Sequence, residues 1–337
     1  MKSSGLRSRL AALVTAGIAC VCLLSLSSAT AWAKVGSIKG FPVPTPSSGP
    51  DGITAGPDGN LWFTESSTLA NKIGRITPKG TITEFSVPTP GGSPFGITAG
   101  PDGNLWFTEE TGSGADEIGR ITTSGGITEF SVPTPFSRPF YITAGPDGNL
   151  WFTESGTNEI GRITTAGAVT GEFLIPTPMS DPFGITAGPD GNLWFTEANA
   201  SKIGRISTSG AITEFSIPTA NSAPQGITAG PDGNLWFAEF GGNKIGRITT
   251  SGSFTEFSVP TSGSLPWGIT AGPDGNLWFT ESGTNKIGRI TTSGSFTEFP
   301  VPTPSSDPVN ITAGPPTRIG TVWFTENSGN KIGKITT

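Results

Sequence analysis

Short segments in which apolar and polar residues alternate run through the chain from about residue 36 to its end. One unit illustrates the pattern, with strand-length segments at 226–230, 235–239, 244–249 and 254–260. Alternation with a period of two is typical of half-buried β-strands, and no helical 3.6-residue spacing persists here. The Pro-Asp-Gly-Asn turn at 231–234 favours a tight hairpin, because Asp-Gly and Gly-Asn tolerate positive φ. The pattern therefore predicts an all-β protein built from hairpins.

The same unit recurs seven times. The phrase Gly-Pro-Asp-Gly-Asn-Leu-Trp-Phe-Thr-Glu returns with little change, and its tryptophans are Trp62, Trp106, Trp151, Trp194, Trp236, Trp278 and Trp323. Their spacings are 44, 45, 43, 42, 42 and 45 residues. A period of about 40–45 residues with four strands per unit indicates a β-propeller. We predict a seven-bladed β-propeller with four-stranded blades, its tryptophans packed between neighbouring blades.

The two ends of the repeat array predict how the ring closes. The seventh unit stops at residues 331–337, its third strand, and no outer strand follows. Residues 36–46 align with the outer-strand segment at 294–304 of the sixth unit. We therefore expect residues 36–46 to form the outer strand of the last blade, which removes an open seam.

The first 33 residues have a different character. A basic start is followed by an apolar run at 10–26 and by Ala31-Trp32-Ala33, the small-x-small pattern of a signal peptidase site. We predict a signal peptide at 1–33, a secreted or extracytoplasmic chain without a membrane span after cleavage, and one propeller domain at 34–337. A lipoprotein is the alternative, because Ala19 precedes Cys20, but the apolar run continues beyond that cysteine.

The amino-acid composition excludes several kinds of metal site and catalytic site. The chain has no histidine, and both cysteines lie within residues 1–33, so the mature chain offers no ordinary zinc site, Ser-His-Asp triad or thiol nucleophile. Removing the predicted signal leaves 17 basic and 26 acidic residues, a net charge of −9. An acidic chain without a basic stripe argues against nucleic-acid binding. Any catalysis would therefore have to use carboxylate side chains.

The variable loops lie on one face of the predicted propeller, which we call the upper face, and its central opening is the mouth. A ring at the mouth comes from the residue two before each inner-strand isoleucine: Asp51, Phe95, Phe140, Phe183, Gln225, Trp267 and Val309. Tyr141 and Asn310 replace the glycine that follows this residue in other units. One interpretation is loop packing over the channel. The other is an apolar cup, rimmed by acidic groups, for a small molecule, a peptide or a glycan. The residues that we predict to bind such a ligand are Asp51, Phe95, Phe140, Tyr141, Phe183, Gln225 and Trp267.

A glutamate ends each second strand, and seven such carboxylates must be paired or hydrated. They are Glu65, Glu109, Glu154, Glu197, Glu239, Glu281 and Glu326. The third strands carry a basic residue with the same period, and we expect it to pair with the glutamate: Arg75, Arg120, Arg162, Arg205, Arg247, Arg289 and Lys334. One or two glutamates could instead bind a hard cation such as Mg²⁺ or Ca²⁺.

The repeat resembles the streptogramin B lyase (virginiamycin B lyase) family over residues 36–337. The resemblance lies in Pro-x-Gly-Ile-Thr-Ala-Gly-Pro-Asp-Gly-Asn-Leu-Trp-Phe-Thr-Glu followed by Asn-Lys-Ile-Gly-Arg-Ile. It implies a seven-bladed propeller and, for active members, Mg²⁺-assisted elimination that opens a cyclic depsipeptide at its ester. The family's two catalytic histidines correspond to Gln225 and Trp267, its catalytic glutamate to Glu281, and a further acidic position to Leu265. Neither glutamine nor indole can act as a general base near neutral pH.

Three functions follow from these observations. The leading hypothesis is a monomeric, non-catalytic exported binding protein that uses its mouth, with no cofactor. A divergent lyase, retaining Glu281 as catalytic residue or as a ligand of Mg²⁺, is the second. A structural protein of the cell surface or matrix is the third, favoured by the uniformity of the units.

Overall fold

A computed structural model describes residues 34–110, 116–315 and 320–337. The predicted signal peptide lies outside these residues, as do parts of two loops, at 111–115 and 316–319, in units two and seven. The described residues form seven four-stranded antiparallel sheets arranged in a ring. The predicted seven-bladed β-propeller is therefore confirmed. None of the described residues belongs to a helix with the length and apolar character needed to cross a bilayer.

Each blade consists of an inner, a second, a third and an outer strand. The inner strands are β2 (Pro50–Ala55), β6 (Pro94–Ala99), β10 (Pro139–Ala144), β14 (Pro182–Ala187), β18 (Pro224–Ala229), β22 (Pro266–Ala271) and β26 (Pro308–Ala313). The second strands are β3 (Leu61–Glu65), β7 (Leu105–Glu109), β11 (Leu150–Glu154), β15 (Leu193–Glu197), β19 (Leu235–Glu239), β23 (Leu277–Glu281) and β27 (Thr321–Glu326). Blades are numbered 1 to 7 in this order.

The remaining two strands complete each sheet. The third strands are β4 (Lys72–Ile76), β8 (Glu117–Ile121), β12 (Glu159–Ile163), β16 (Lys202–Ile206), β20 (Lys244–Ile248), β24 (Lys286–Ile290) and β28 (Lys331–Thr336). The outer strands of blades 1 to 6 are β5 (Ile82–Ser86), β9 (Ile127–Ser131), β13 (Val169–Leu174), β17 (Ile212–Ser216), β21 (Phe254–Ser258) and β25 (Phe296–Pro300). A single 3₁₀ turn, Ser282–Thr284, follows β23 within the described residues.

The ring closes through the first described strand. β1 (Ile38–Pro42) pairs antiparallel with β28, with Ile38 opposite Ile335 and Pro42 opposite Lys331. Beyond the strand, the amide of Val43 donates to the Asn330 carbonyl at 3.0 Å. The outer strand of blade 7 thus comes from the N-terminal side of the chain. The predicted closure by an N-terminal strand is confirmed, and the strand itself spans Ile38–Pro42.

The core lies between blades. Alternation along β3 directs Leu61 and Phe63 toward the preceding blade and Trp62 toward the following one, and all three are fully buried. Trp323 of blade 7 packs against Leu61 and Phe63 of blade 1, so the same contact also seals the ring. The tryptophans are therefore part of the architecture, as predicted.

The lower turns fix these tryptophans in place. Asp58 accepts hydrogen bonds from the indole N–H of Trp62 at 3.0 Å and from the amide of Asn60 at 3.2 Å. Gly59 adopts a φ of +75°, a conformation that favours glycine. The repeated Pro-Asp-Gly-Asn sequence therefore orients the largest side chain of the core.

Candidate functional site

A β-bulge in each inner strand positions the mouth residues. In blade 1, Pro50 pairs with Glu65 but Ile53 pairs with Phe63, so Asp51 and Gly52 leave the regular register. The Gly52 amide donates to the Thr64 hydroxyl at 2.9 Å, and that hydroxyl donates to the carbonyl of Phe95 in blade 2 at 2.7 Å. Bulges redirect side chains, and here they direct one residue per blade toward the axis.

A cleft of about 520 Å³ opens at the mouth. Its lining residues are Asp51, Phe95, Phe140, Phe240, Leu265, Trp267, Ser282, Gly283, Asp307, Val309 and Asn327. Of the residues predicted from sequence to bind a ligand, four line this cleft, namely Asp51, Phe95, Phe140 and Trp267. Tyr141, Phe183 and Gln225 do not. A cleft therefore lies at the mouth, and its lining coincides with the predicted residues only in part.

The aromatic residues form one connected group. Phe95 stacks on Phe140 with ring centroids 4.7 Å apart, and Phe140 lies 4.7 Å from Phe183. Trp267 meets Phe183 at 5.5 Å and Phe240 at 5.4 Å, both edge to face. Because Phe183 is buried beneath the others, it supports the wall of the cleft. Gln225 is likewise buried, with its amide nitrogen 3.4 Å from the Ala223 carbonyl.

A polar bridge crosses the channel below the cleft. The hydroxyl of Tyr141 donates to Asn310 Oδ1 at 2.9 Å, and Asn310 Nδ2 donates to Asp51 Oδ1 at 2.8 Å. Burial, together with nearby Asp307, raises the pKa of Asp51 to about 7, although the Asn310 bond opposes this shift. Burial also raises the pKa of Tyr141. The bridge links blades 3, 7 and 1 above a smaller cavity of about 130 Å³ that Tyr141 and Asn310 help to line.

The second-strand glutamates lie away from the cleft. Glu281 is fully buried, and its Oε2 accepts a hydrogen bond from the Thr284 hydroxyl at 3.1 Å. Burial, with Glu298 nearby, raises the pKa of Glu281 to about 7. The glutamates are therefore enclosed by the blades and do not project into the mouth.

The expected pairing of these glutamates with the third-strand arginines is wrong. In blade 1, Arg75 lies opposite Trp62 in the β3–β4 register, whereas Glu65 lies opposite Lys72. The Arg75 guanidinium lies 5.5 Å from the Trp62 ring centroid and donates to the carbonyl of Thr123 in blade 2 at 2.9 Å. The arginines therefore cover the tryptophans and tie adjacent blades together.

Two cleft residues that sequence reasoning missed could have been found by comparing units. Phe240 follows the second-strand glutamate, where the other units have serine, alanine, asparagine or glutamate. Asp307 precedes the inner-strand proline, as Asp181 does in blade 4, and burial raises its pKa. Asp307 places a second carboxyl group near Asp51 in the lining of the cleft.

Comparison with known proteins places this propeller among relatives. The model described as the virginiamycin B lyase family matches residues 27–180 and 137–337. The chain belongs to the virginiamycin B lyase family. The resemblance found in the sequence is therefore confirmed. Membership explains the seven blades and the position of the mouth, and it does not by itself assign the reaction.

Solved structures of the virginiamycin B lyase family agree closely. Selenomethionine-substituted virginiamycin B lyase from Staphylococcus aureus is 46% identical, with a TM-score of 0.83, and the match covers 89% of this chain and 99% of that one. A catalytically inactive histidine-to-alanine variant of that enzyme with quinupristin has the same identity, coverage and TM-score. A streptogramin B lyase is 42% identical, with a TM-score of 0.83, and the match covers 89% and 98% of the two chains.

A more distant match shows the fold alone. Hydrazine synthase of Kuenenia stuttgartiensis is 17% identical, with a TM-score of 0.69 over 90% of this chain and 99% of that one.

The residues at the family's catalytic positions do not fit an Mg²⁺ site. Mg²⁺ requires several oxygen ligands in near-octahedral geometry. Trp267 offers no oxygen, and Leu265 offers none from its side chain. Gln225 and Glu281 are both buried and neither lines the cleft. We therefore derive no step through a metal at the mouth.

Proposed function

We propose that this member of the virginiamycin B lyase family is an exported, non-catalytic protein that binds a ligand at its mouth. The observation that supports the proposal is the cleft itself. Phe95, Phe140, Phe240 and Trp267 form an apolar wall, while Asp51 and Asp307 supply carboxyl groups. The chain contains no histidine. A shaped, partly apolar cleft with few polar groups is the usual form of a small-ligand site.

The cleft suits a compact ligand with one apolar face and one polar face. Aromatic rings bind flat apolar groups, and a carboxyl group binds amide N–H, hydroxyl or ammonium donors. A cyclic peptide meets both requirements, and the Staphylococcus aureus relative was solved with quinupristin. Another small molecule, a linear peptide or a glycan with such faces would also fit this chemistry.

Calorimetry with a streptogramin B antibiotic as the probe tests the proposal. We expect saturable binding to the native protein and, in Trp267→Ala, binding at least about tenfold weaker, because one wall of the cleft is lost. Phe136→Ala is the control, since Phe136 is exposed and does not line the cleft. No binding to the native protein, or equal binding by both variants, would contradict streptogramin binding at this cleft.

Family membership favours a second candidate, a divergent lyase. The protein is incubated with the antibiotic and Mg²⁺, and the product is followed by chromatography. We expect the antibiotic to remain intact. Ring-opened product that disappears in Glu281→Gln would replace the binding proposal with the lyase. If neither Trp267→Ala nor Glu281→Gln changes binding or turnover, the structural role gains support.

A further inference from the structure

In four blades the outer part of the upper edge carries the same charged cluster. In blade 1 the ammonium of Lys72 lies 2.8 Å from Glu84 Oε2 and donates to the Thr45 hydroxyl at 2.6 Å. The fully buried Glu65 lies opposite Lys72 in the strand register. The same ion pair recurs as Lys202–Glu214, Lys244–Glu256 and Lys286–Glu298. In these blades one positive charge lies among the oxygens.

Blade 2 departs from this cluster at two positions. The lysine is replaced by Glu117, which lies opposite Glu109 in the β7–β8 register. A loop serine is replaced by Gly92. In blade 1 that serine is Ser48, whose amide and hydroxyl donate to Asn330 Oδ1 at 2.8 and 3.0 Å. Blade 2 has therefore lost an ammonium and a hydroxyl and has gained a third carboxylate.

Three carboxylates converge at this place. Glu109, Glu117 and Glu129 each offer one oxygen, and these oxygens all lie within 4.8 Å of one another. The Thr89 hydroxyl lies 2.7 Å from Glu117 Oε2 and 3.1 Å from Glu129 Oε2. Glu109 is 0% exposed, and within the described parts of the chain neither of its carboxylate oxygens has a hydrogen-bond partner. Burying a carboxyl group in this way is costly unless a proton or a cation compensates.

A further oxygen faces the same place. Among the described residues Asn71 Oδ1 is buried without a hydrogen-bond donor, because Gly92 has replaced the serine that bonds to the equivalent asparagine elsewhere. A Cβ at Gly92 would lie 2.5 Å from Glu109 Oε2 and 3.3 Å from Asn71 Oδ1. The glycine thus leaves space beside these two oxygens.

We propose that Glu109, Glu117, Glu129 and Asn71 form a Ca²⁺ site between blades 1 and 2. Hard cations prefer carboxylate and amide oxygens, and this set contains nothing else. Mg²⁺ demands near-octahedral geometry and usually keeps several waters, whereas Ca²⁺ accepts irregular sets of protein oxygens. A set of carboxylate and amide oxygens that includes the fully buried Glu109 therefore favours Ca²⁺.

Blade 3 supplies a matched control. Its lysine position is also acidic, Glu159, but its loop serine is retained as Ser137, whose hydroxyl lies 3.5 Å from Oδ2 of Asp116, the residue at the position of Asn71. The Thr157 hydroxyl also donates to Glu154 at 3.3 Å. Glu159→Lys makes the same change of charge as Glu117→Lys and leaves the proposed ligands in place.

The experiment is calorimetric titration of chelator-treated protein with CaCl₂ and, separately, with MgCl₂. We expect one Ca²⁺ to bind in blade 2, with Mg²⁺ at least about tenfold weaker because it demands near-octahedral geometry and gives up its water reluctantly. Glu117→Lys introduces the lysine found in blades 1 and 4 to 7, so it should fold normally while Ca²⁺ affinity falls at least about tenfold.

Three results would overturn the proposal. The first is no Ca²⁺ binding to the native protein at millimolar concentration. The second is unchanged Ca²⁺ affinity in Glu117→Lys. The third is an equal loss in Glu159→Lys, which would attribute the effect to net charge. Retained affinity in Glu159→Lys, with loss in Glu117→Lys, would support the site.

Discussion

At the scale of single residues, Trp151 is fully buried between blades 3 and 4 and stacks on Phe173, with ring centroids 5.6 Å apart. Its indole N–H donates to Asp147 Oδ1 at 3.0 Å, and Arg162 lies 5.3 Å from its ring centroid. We expect Trp151→Ala to lower the free energy of unfolding by about 3–5 kcal/mol, because the substitution leaves a cavity. Chemical denaturation followed by circular dichroism measures the change.

An exposed ring provides the comparison for Trp151. Phe136 is 62% exposed, so Phe136→Ala should change the free energy of unfolding by less than about 0.5 kcal/mol. Similar destabilisation by the two substitutions would contradict the inter-blade role of the indole.

The recurrence of a residue at one place in every unit predicts the role of some residues correctly and gives the wrong partner for others. A tryptophan at one place in every unit is correctly interpreted as core. The partner of Glu65 cannot be found in this way, because Lys72 and Arg75 recur with nearly the same regularity. The register of the β3–β4 hairpin decides between them and places Lys72 opposite the glutamate. Counting residues across the turn would have given the right partner.

At the scale of elements, β1 is the outer strand that closes the ring. It covers β28 along five register pairs, and its Phe41 stacks on Trp323 at 5.6 Å. Deleting residues 34–46 should lower the melting temperature markedly, because β28 becomes an open edge and part of the core between blades 7 and 1 is lost. Differential scanning calorimetry measures this shift, and an unchanged melting curve would contradict closure by β1.

A circular permutant tests whether the lower melting temperature comes from the missing strand or from the new position of the chain's N-terminus. Residues 36–46 are joined after Thr337 through one serine, which recreates the Thr-Thr-Ser-Gly-Ser turn of the sixth unit, and the new chain begins at Ser47. In the present chain the Gly36 amide already donates to the Thr336 carbonyl at 2.9 Å, so the ends are close. The permutant should regain most of the lost melting temperature.

The sequence predicts the elements more fully than their irregularities. Each blade has its four strands where alternation and turn residues indicate them, within a few residues at the ends. The bulge between Pro50 and Ile53 leaves no such signal, because Asp51 and Gly52 fit a regular strand equally well. Yet the bulge directs the side chain of Asp51 toward the mouth. The position of the site therefore depends on a feature that the alternation of apolar and polar residues does not reveal.

At the scale of the whole molecule, the mouth combines residues that are far apart in the chain. The bridge from Tyr141 to Asn310 joins residues 169 positions apart. Repeat alignment identifies both residues as exceptions, since they replace glycine, but it cannot show that they meet. Their meeting follows from ring geometry, which brings all inner strands to one axis. The depth of each ring residue, such as the burial of Phe183 beneath Trp267, depends on packing that the repeat does not specify.

The buried glutamates make the stability of the whole ring depend on pH. Burial raises their pKa to about 7 for Glu65 and Glu281, about 8 for Glu197 and Glu239, and about 9 for Glu109 and Glu154. Unfolding returns each glutamate to an ordinary pKa of about 4.5, so the folded chain binds more protons than the unfolded chain above that pH. The stabilisation is complete below about pH 4.5 and is lost as the pH rises through about 7–9.

Thermal melts between pH 3 and 9, in chelating buffer so that no cation occupies blade 2, measure this effect. We expect the melting temperature to fall from pH 5.5 to 8.5, because the glutamates must ionise while buried. It should also fall below about pH 4, since groups with lowered pKa such as Glu84 and Asp58 then lose their hydrogen-bonded charge. Glu197→Gln cannot ionise, so its melting temperature should fall less steeply above pH 6. A melting temperature that stays level or rises from pH 5.5 to 8.5 would contradict burial of these glutamates as protonated acids.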